Sequence, residues 1–269
     1  MKPARAIAAD AASTFAYLRR CDEREIDNPD RDDPRRFRYL ERVHEVLRLA
    51  RAVPPPARVA EIGCAQGNVS LLLAETGYHA VAVDLRLDFI RYARAKWERG
   101  RLDAVVADAF RLPFRAATFD VVIVGELVEH VADPGALLAE AGRLLVAGGL
   151  LVVTTPNGRC VGRREPTFAE FRRRRQSAGV PVECGPGADD HLFALTLHEL
   201  LTLLPAGLEP VHRAYAVSRL INSRSHPVLR RLLRGVPAWL QRGAAALPGL
   251  GPRLSQQLVV AARRPGAVA

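Results

Sequence analysis

Lysine is almost absent from this chain: of its 39 basic residues only Lys2 and Lys96 are not arginine. Arginine, alanine, glycine and proline are abundant throughout, as a GC-rich coding sequence produces, so the net charge of +10 is discounted as a nucleic-acid signal. The charge still permits a polyanionic partner or peripheral contact with an anionic membrane surface, and a nucleic-acid partner is kept only as a minor reading. Cysteine is scarce. Cys21, Cys64, Cys160 and Cys184 lie far apart with no CxxC spacing, which argues against zinc and against a disulfide framework. Trp97, Trp239 and the tyrosines keep no regular spacing that would make a base-stacking platform. Nowhere do about 18 apolar residues run without a charge, and "MKPARAIAADAAS" holds no long apolar stretch. A reducing, cytoplasmic protein is therefore expected.

What is present begins with length: 269 residues bury one good-sized core plus a modest appendage. Residues 1–57 read as a helical, peripheral extension. Within it, Phe37, Leu40, Val43, Val46, Leu47 and Ala50 recur at the spacing of one apolar helix face, and Pro54 to Pro56 stop the helix. Beyond this point strands and helices alternate. Strands are predicted at 58–62, 79–84, 103–108, 119–124 and 148–156, with helices after the first two, at 134–145 and within 196–204. Runs apolar on both faces imply a parallel sheet covered by helices on each side, an α/β doubly wound domain. Ligands bind such sheets at the carboxyl ends of the strands, where the strand order reverses.

The residues just past each strand suit a nucleoside-bearing ligand. After the first strand, "EIGCAQG" spans Glu61, Gly63, Cys64, Ala65 and Gly67, and its glycines let the backbone turn tightly and approach a ligand. Asp84, followed by Leu85, ends the second strand and can accept two hydrogen bonds from a ribose diol. Asp108, Ala109 and Phe110 after the third suit an adenine edge and face. Cys64 has no basic neighbour in sequence and reads as a small buried side chain rather than a nucleophile.

In this order the motifs resemble those of the class I S-adenosylmethionine-dependent methyltransferases. "VAEIGCAQG", "AVAVD", "VVADAFRLPF" and "FDVVIVGELVEHVADP" with "LLVAGGLLVVTTPN" are similar to their successive motifs, over about residues 58–157 with a fainter continuation to 211. The resemblance implies a Rossmann-like fold with a mostly parallel seven-stranded sheet, and S-adenosylmethionine as cofactor. It also implies that Glu61 and Gly63 lie near the methionine moiety, Asp84 on the ribose, and Asp108 with Ala109 at the adenine. One departure is Ala65, where the family's E-x-G-x-G-x-G pattern has its middle glycine. A dinucleotide-binding reading fits the Gly63-to-Asp84 spacing but lacks glycine at Ala65 and Asn68.

"GELVEHV", residues 125–131, follows the fourth strand and holds Glu126, Glu129 and His130. Its E-x-x-E-H resembles the ubiquinone-biosynthesis O-methyltransferases, within the methyltransferase type 11 and 23 group, and also the small-RNA 2′-O-methyltransferases. Some of those proteins hold a divalent metal there, and in the second group a later histidine completes the site; His191 stands at a comparable place here. Three readings stay open. Glu126, Glu129, His130 and His191 hold Mg²⁺ or another divalent ion as Lewis acid; His130 with Glu129 serves as a metal-free acid/base pair; or the cluster is structural, with Glu126 touching the cofactor.

Thr196 and Glu199 have capping-box spacing and should start a helix, leaving His198 exposed. Residues 158–190 read as a lid-like insertion in which Arg172 to Arg175 form a solvated face, and Asp189 and Asp190 a loop. Residues 218–254 read as a helical insertion before a last strand. Its alternating leucines and arginines would pack on the core, cover an apolar pocket or lie on a membrane surface. The core is then 58–217 with 255–264. The expected reaction is methyl transfer to a small or lipid-like acceptor, most readily at oxygen. A metal-dependent RNA 2′-O-methyltransferase and a non-catalytic cofactor-binding protein are the alternatives, and oligomeric state is left open.

Overall fold

The computed structural model describes residues 12–30, 33–178, 191–218, 249 and 251–266. Cys184, Asp189, Asp190, Trp239, residues 179–190 of the first insertion and nearly all of the second lie outside the described residues.

Seven strands form one sheet: β1 (Arg58–Ile62), β2 (His79–Asp84), β3 (Arg101–Val106), β4 (Phe119–Gly125), β5 (Leu145–Pro156), β6 (Glu209–Ser218) and β7 (Ser255–Arg263). The order is β3-β2-β1-β4-β5-β7-β6. The first five strands pair in parallel, and β7 runs antiparallel between β5 and β6. The sheet is therefore doubly wound and mostly parallel, and its order reverses between β1 and β4, which opens a crevice at their carboxyl ends.

Helices cover both faces. They are α1 (Ala12–Glu25), α2 (Pro34–Ala50), α3 (Asn68–Glu75), α4 (Leu87–Lys96), α5 (Pro134–Arg143), α6 (Phe168–Ala178) and α7 (Leu197–Thr202). On one face Val122 and Val124 of β4 and Leu151 and Val153 of β5 pack with Leu137, Leu138 and Ala141 of α5. On the other, Val121 and Ile123 join Val69 and Leu73 of α3 and Val43, Val46, Leu47 and Ala50 of α2. Alternate residues of one strand thus face opposite cores, the signature of a strand buried on both sides.

The expectation of a peripheral N-terminal extension is corrected here. The apolar stripe of α2 covers the sheet, and Leu18 of α1, with Phe15, packs on Phe89 and Tyr92 of α4. Asp33 caps α2 by accepting from the Arg35 amide at 2.7 Å, with Pro34 in the first helical turn. Periodicity revealed a buried face but not what it covers.

Boundaries moved where pairing outranked apolar pattern. β3 starts at Arg101 and ends at Val106, paired with Asp84, so Asp108 stands in the following turn. β5 starts at Leu145, opposite Phe119, because α5 ends at Arg143. The capping box of Thr196 and Glu199 is present and His198 is exposed. Arg172 to Arg175 project into solvent from α6, as expected. No helix among the described residues is long and apolar enough to cross a membrane.

Candidate active site

The turn after β1 is shaped by three left-handed residues. Gly63 has φ +73°, Ala65 +44° and Gly67 +73°. The amides of Gly63 and Cys64 both donate to the Val83 carbonyl, at 2.8 and 2.9 Å, folding the turn over the end of β2. At Gly67, the N-cap of α3, a Cβ would stand 2.5 Å from the Cβ of Ala93, so glycine is required by space as well as conformation. Ala65 accepts the strained conformation, a cost of about 1 kcal/mol, and its amide donates to Asp84 Oδ2 at 3.0 Å. The other oxygen, Oδ1, accepts from the Arg86 amide at 2.9 Å. Asp84 is therefore held rigidly at the strand end, with lone pairs left over for a ligand. Burial raises its pKa.

Glu61 is buried, and its Oε2 accepts from both the amide (2.9 Å) and the hydroxyl (2.6 Å) of Ser70. Burial nevertheless pushes its pKa from 4.5 up to about 7. The unfolded chain releases this proton near pH 4.5, while the folded chain keeps it to about pH 7. Between those values the folded state binds more protons, so stability falls as pH rises through the window, by on the order of 3 kcal/mol in total. Denaturant unfolding at stepped pH should show Glu61→Gln gaining on the wild type by that amount between pH 5 and 7.5. A difference that does not change with pH would refute the assignment.

On the far side of the crevice, Asp108 Oδ1 accepts from the Phe110 amide at 2.9 Å. Leu85, Val106 and Phe110 are exposed at the carboxyl ends of β2 and β3, 68%, 46% and 38% respectively. Apolar side chains left in water at this place fit a planar base that would cover them. Val106 lies within the motif at the end of β3, but only its register opposite Asp84 marks it as part of the site.

After β4 the chain turns abruptly. Glu126 has φ +51°, and its amide donates to the Thr154 carbonyl at 2.9 Å. A non-glycine residue in this region stores strain of roughly 1–3 kcal/mol, a cost that clusters at functional sites. Its Oε2 accepts from Gln257 Nε2 at 3.1 Å, and its Oε1 is buried without a hydrogen-bond partner among the described residues. Arg42 of α2 answers this charge: burial works against its guanidinium, but Glu126, Tyr39 and other neighbours raise its pKa overall.

A 3₁₀ turn, Val128–His130, then presents the rest of the cluster. Glu129 is fully buried; Oε2 accepts from Thr155 Oγ1 at 3.0 Å, and Oε1 has no partner among the described residues. Burial, reinforced by the Glu126 charge, pushes its pKa well up. The His130 and His191 rings stand edge to face, 4.8 Å between centroids. His191 is carried there because the Leu192 amide donates to the Glu129 carbonyl at 3.0 Å. Burial and then His130 lower the pKa of His191, which favours a neutral imidazole.

One ligand atom from each of Glu129, His130 and His191 lies within 4.8 Å of the others. Glu126 does not belong to that trio. A half-buried pair of imidazoles beside an orphaned carboxylate oxygen suits a divalent ion of borderline character, and losing the second carboxylate moves the preference away from Mg²⁺.

An inner cavity of about 220 Å³ joins Glu61, Gly63 and Ala65 to Glu126, His130 and His191. An outer one of about 540 Å³ continues from Glu126 and His191 toward Arg38 and Arg164. Both are walled by α1 and α2 through Arg24, Glu25, Tyr39 and Arg42, none of which any motif had marked.

Those helices are fastened to the glycine turn by a buried polar network that sequence reasoning also missed. Lys96 Nζ donates to Asp22 Oδ2 at 2.7 Å, to the Gln66 carbonyl at 3.2 Å and to Asn68 Oδ1. Asp22 also receives Tyr92 OH at 2.8 Å and Asn68 Nδ2 at 3.0 Å. Asn68 reaches Tyr39 OH at 2.6 Å. Residues of α1, α3 and α4 thus meet on one carboxylate and one ammonium, and α2 joins them through Asn68.

Comparison with known proteins agrees with this architecture. Residues 60–153 match the model of a family described as a methyltransferase domain. The chain is 36% identical over 104 residues to a ubiquinone biosynthesis O-methyltransferase of Xylella fastidiosa, covering 38% of this chain and 42% of that protein. It is 32% identical over 120 residues to a probable S-adenosylmethionine-dependent methyltransferase of Mycobacterium tuberculosis, covering 44% and 43%. The matches therefore span less than half of those relatives' length. The crystal structure of the N-methyltransferase NodS from Bradyrhizobium japonicum, in complex with S-adenosyl-L-homocysteine, superposes with a TM-score of 0.54 at 20% identity, covering 94% of this chain and 98% of that one. At that identity the likeness speaks for the fold.

Proposed function

We propose that this chain, which matches a methyltransferase-domain family over residues 60–153, is a class I S-adenosylmethionine-dependent methyltransferase that transfers a methyl group to an oxygen of a small acceptor. The observation that carries the reading is continuity: the Gly63–Gly67 turn and Glu61 open, through one inner cavity, onto His130 and His191. Oxygen as the acceptor atom is supported by the imidazole pair, which suits removal of a hydroxyl proton, and by the similarity to the O-methyltransferases of ubiquinone biosynthesis.

S-adenosylmethionine supplies a methyl group on a sulfonium, so that the acceptor oxygen bonds to carbon while the carbon–sulfur electron pair leaves on a neutral thioether. The protein's task is alignment and proton removal. Asp84, fixed by two backbone amides, offers its remaining lone pairs to the ribose hydroxyls. Leu85, Val106 and Phe110 cover the adenine. Glu126, and Glu61 once it loses its proton near pH 7, favour the positive charge of the methionine portion. An imidazole nitrogen of His130 takes the hydroxyl proton, and His191, held neutral, keeps a second positive charge from competing.

A divalent ion held by Glu129, His130 and His191 would supply Lewis-acid polarisation of the hydroxyl. The fit rests on the orphaned Oε1 of Glu129: burial and the Glu126 charge disfavour the ionised form of that carboxyl, and a cation would offset that cost. Mn²⁺ titration followed by its EPR signal should show one site per chain, with affinity falling by about tenfold or more in His191→Ala and in Glu129→Gln. Absence of a site would leave His130 as the base acting alone.

A further inference from the structure

The outer cavity is more cationic than methyl transfer requires. Six arginines line it against three glutamates. Arg24 and Arg42 also line the inner cavity beside Glu61 and Gly63, so they serve the cofactor side. Arg35 leans on Asp33 at 3.7 Å, and Arg163 pairs with Glu165 at 3.2 Å. Arg38 and Arg164 are different. Each lines the outer cavity alone, and neither makes an ion pair among the described residues. Glu126, whose charge also reaches Arg38, is engaged by Gln257 and faces Arg42.

Exposed arginines on a convex surface would merely be solvated. Arg38 and Arg164 are exposed, but from separate elements, α2 and the loop after β5, they line one concave space that also reaches His191. Guanidinium groups bind carboxylate and phosphate oxygens in forked geometry, and a recess makes such bonds stronger than they would be in open water.

Resting on the methyltransferase reading, we propose that the acceptor bears an anionic oxygen group, a carboxylate or a phosphate. Arg38 and Arg164 hold that group in the outer cavity, and the acceptor's hydroxyl then faces His130 and His191. The expectation of a greasy acceptor came from residues 218–254, and the described lining gives it no apolar wall.

The test is calorimetric titration of the full chain, loaded with S-adenosylhomocysteine, with three phenols: 4-hydroxyphenylacetate, 4-hydroxyphenyl phosphate and the neutral 4-hydroxyphenylethanol. We expect at least one anion to bind and the neutral compound not to. Affinity should fall about tenfold in each of Arg38→Ala and Arg164→Ala, and should not change in Arg91→Ala, on the exposed side of α4. The tighter of the two anions identifies the group. The proposal is overturned if S-adenosylhomocysteine binds but neither anion does, if the neutral phenol binds equally well, or if the arginine variants are unaltered. If the anions bind and S-adenosylhomocysteine does not, the methyltransferase reading fails instead, and the cavity is not an acceptor site.

Discussion

Asp84→Ala is expected to weaken S-adenosylmethionine binding by a hundredfold or more, measured by calorimetry. Each hydrogen bond to a charged acceptor is worth about 1.5–3 kcal/mol, and a diol makes two of them. The substitution has a second effect. It strips the partner from the Ala65 amide and from the Arg86 amide, so the left-handed turn that shapes the cavity loses its anchor. Asp84→Asn separates the two contributions: its amide oxygen still satisfies one backbone donor, but without the charge, and an intermediate loss of about tenfold is expected. Unaltered affinity in the alanine variant would remove the cofactor assignment on which the functional reading rests.

Asp22→Ala should produce the largest loss of stability. The pair with Lys96 is almost wholly inaccessible, the side chains being 2% and 1% exposed, so screening by water does not soften the effect. Removing one member of a buried pair leaves the other charge uncompensated, at a cost of about 3–5 kcal/mol. Asn68 and Tyr92 lose partners as well. For a chain of this size calorimetry should record a fall in Tm of roughly 10 °C or more. Replacing both residues by apolar ones, Asp22→Leu with Lys96→Met, should recover much of the loss, because no unpaired charge then remains. A single variant that melts with the wild type would show that α1 is not fastened through this network. Its position also predicts a functional consequence: Lys96 holds the Gln66 carbonyl, so cofactor affinity should fall together with stability.

The legible part of the site lies where local chemistry and strand position coincide. Asp84 ends its strand, and Gly63, Gly67 and Asp108 stand in the turns that follow theirs. In a doubly wound sheet those places face the crevice whatever the rest of the chain does. The helix cap at Thr196 was legible for the same reason, since both partners lie within one turn. Glu129 and His130 were legible as a cluster, but the separation of Glu126 from them was not. That depends on a left-handed residue at 126, which the strain-free preference of glutamate would not suggest.

Whatever depends on periodicity and on the strand-end rule was settled by the order of residues alone: the α/β class, the glycine turn after β1, the acid at the end of β2 and the location of the acid/histidine cluster. Packing of distant segments decided the remainder. The N-terminal helices became a wall of the site because α2's apolar stripe covers β4 and β5, and no local pattern encodes which surface a stripe will find. His191 reached His130, and Lys96 reached Asp22, across 61 and 74 positions. Side chains so far apart meet only when the core between them has formed, since burying the apolar faces is what drives the chain to close over its polar contacts.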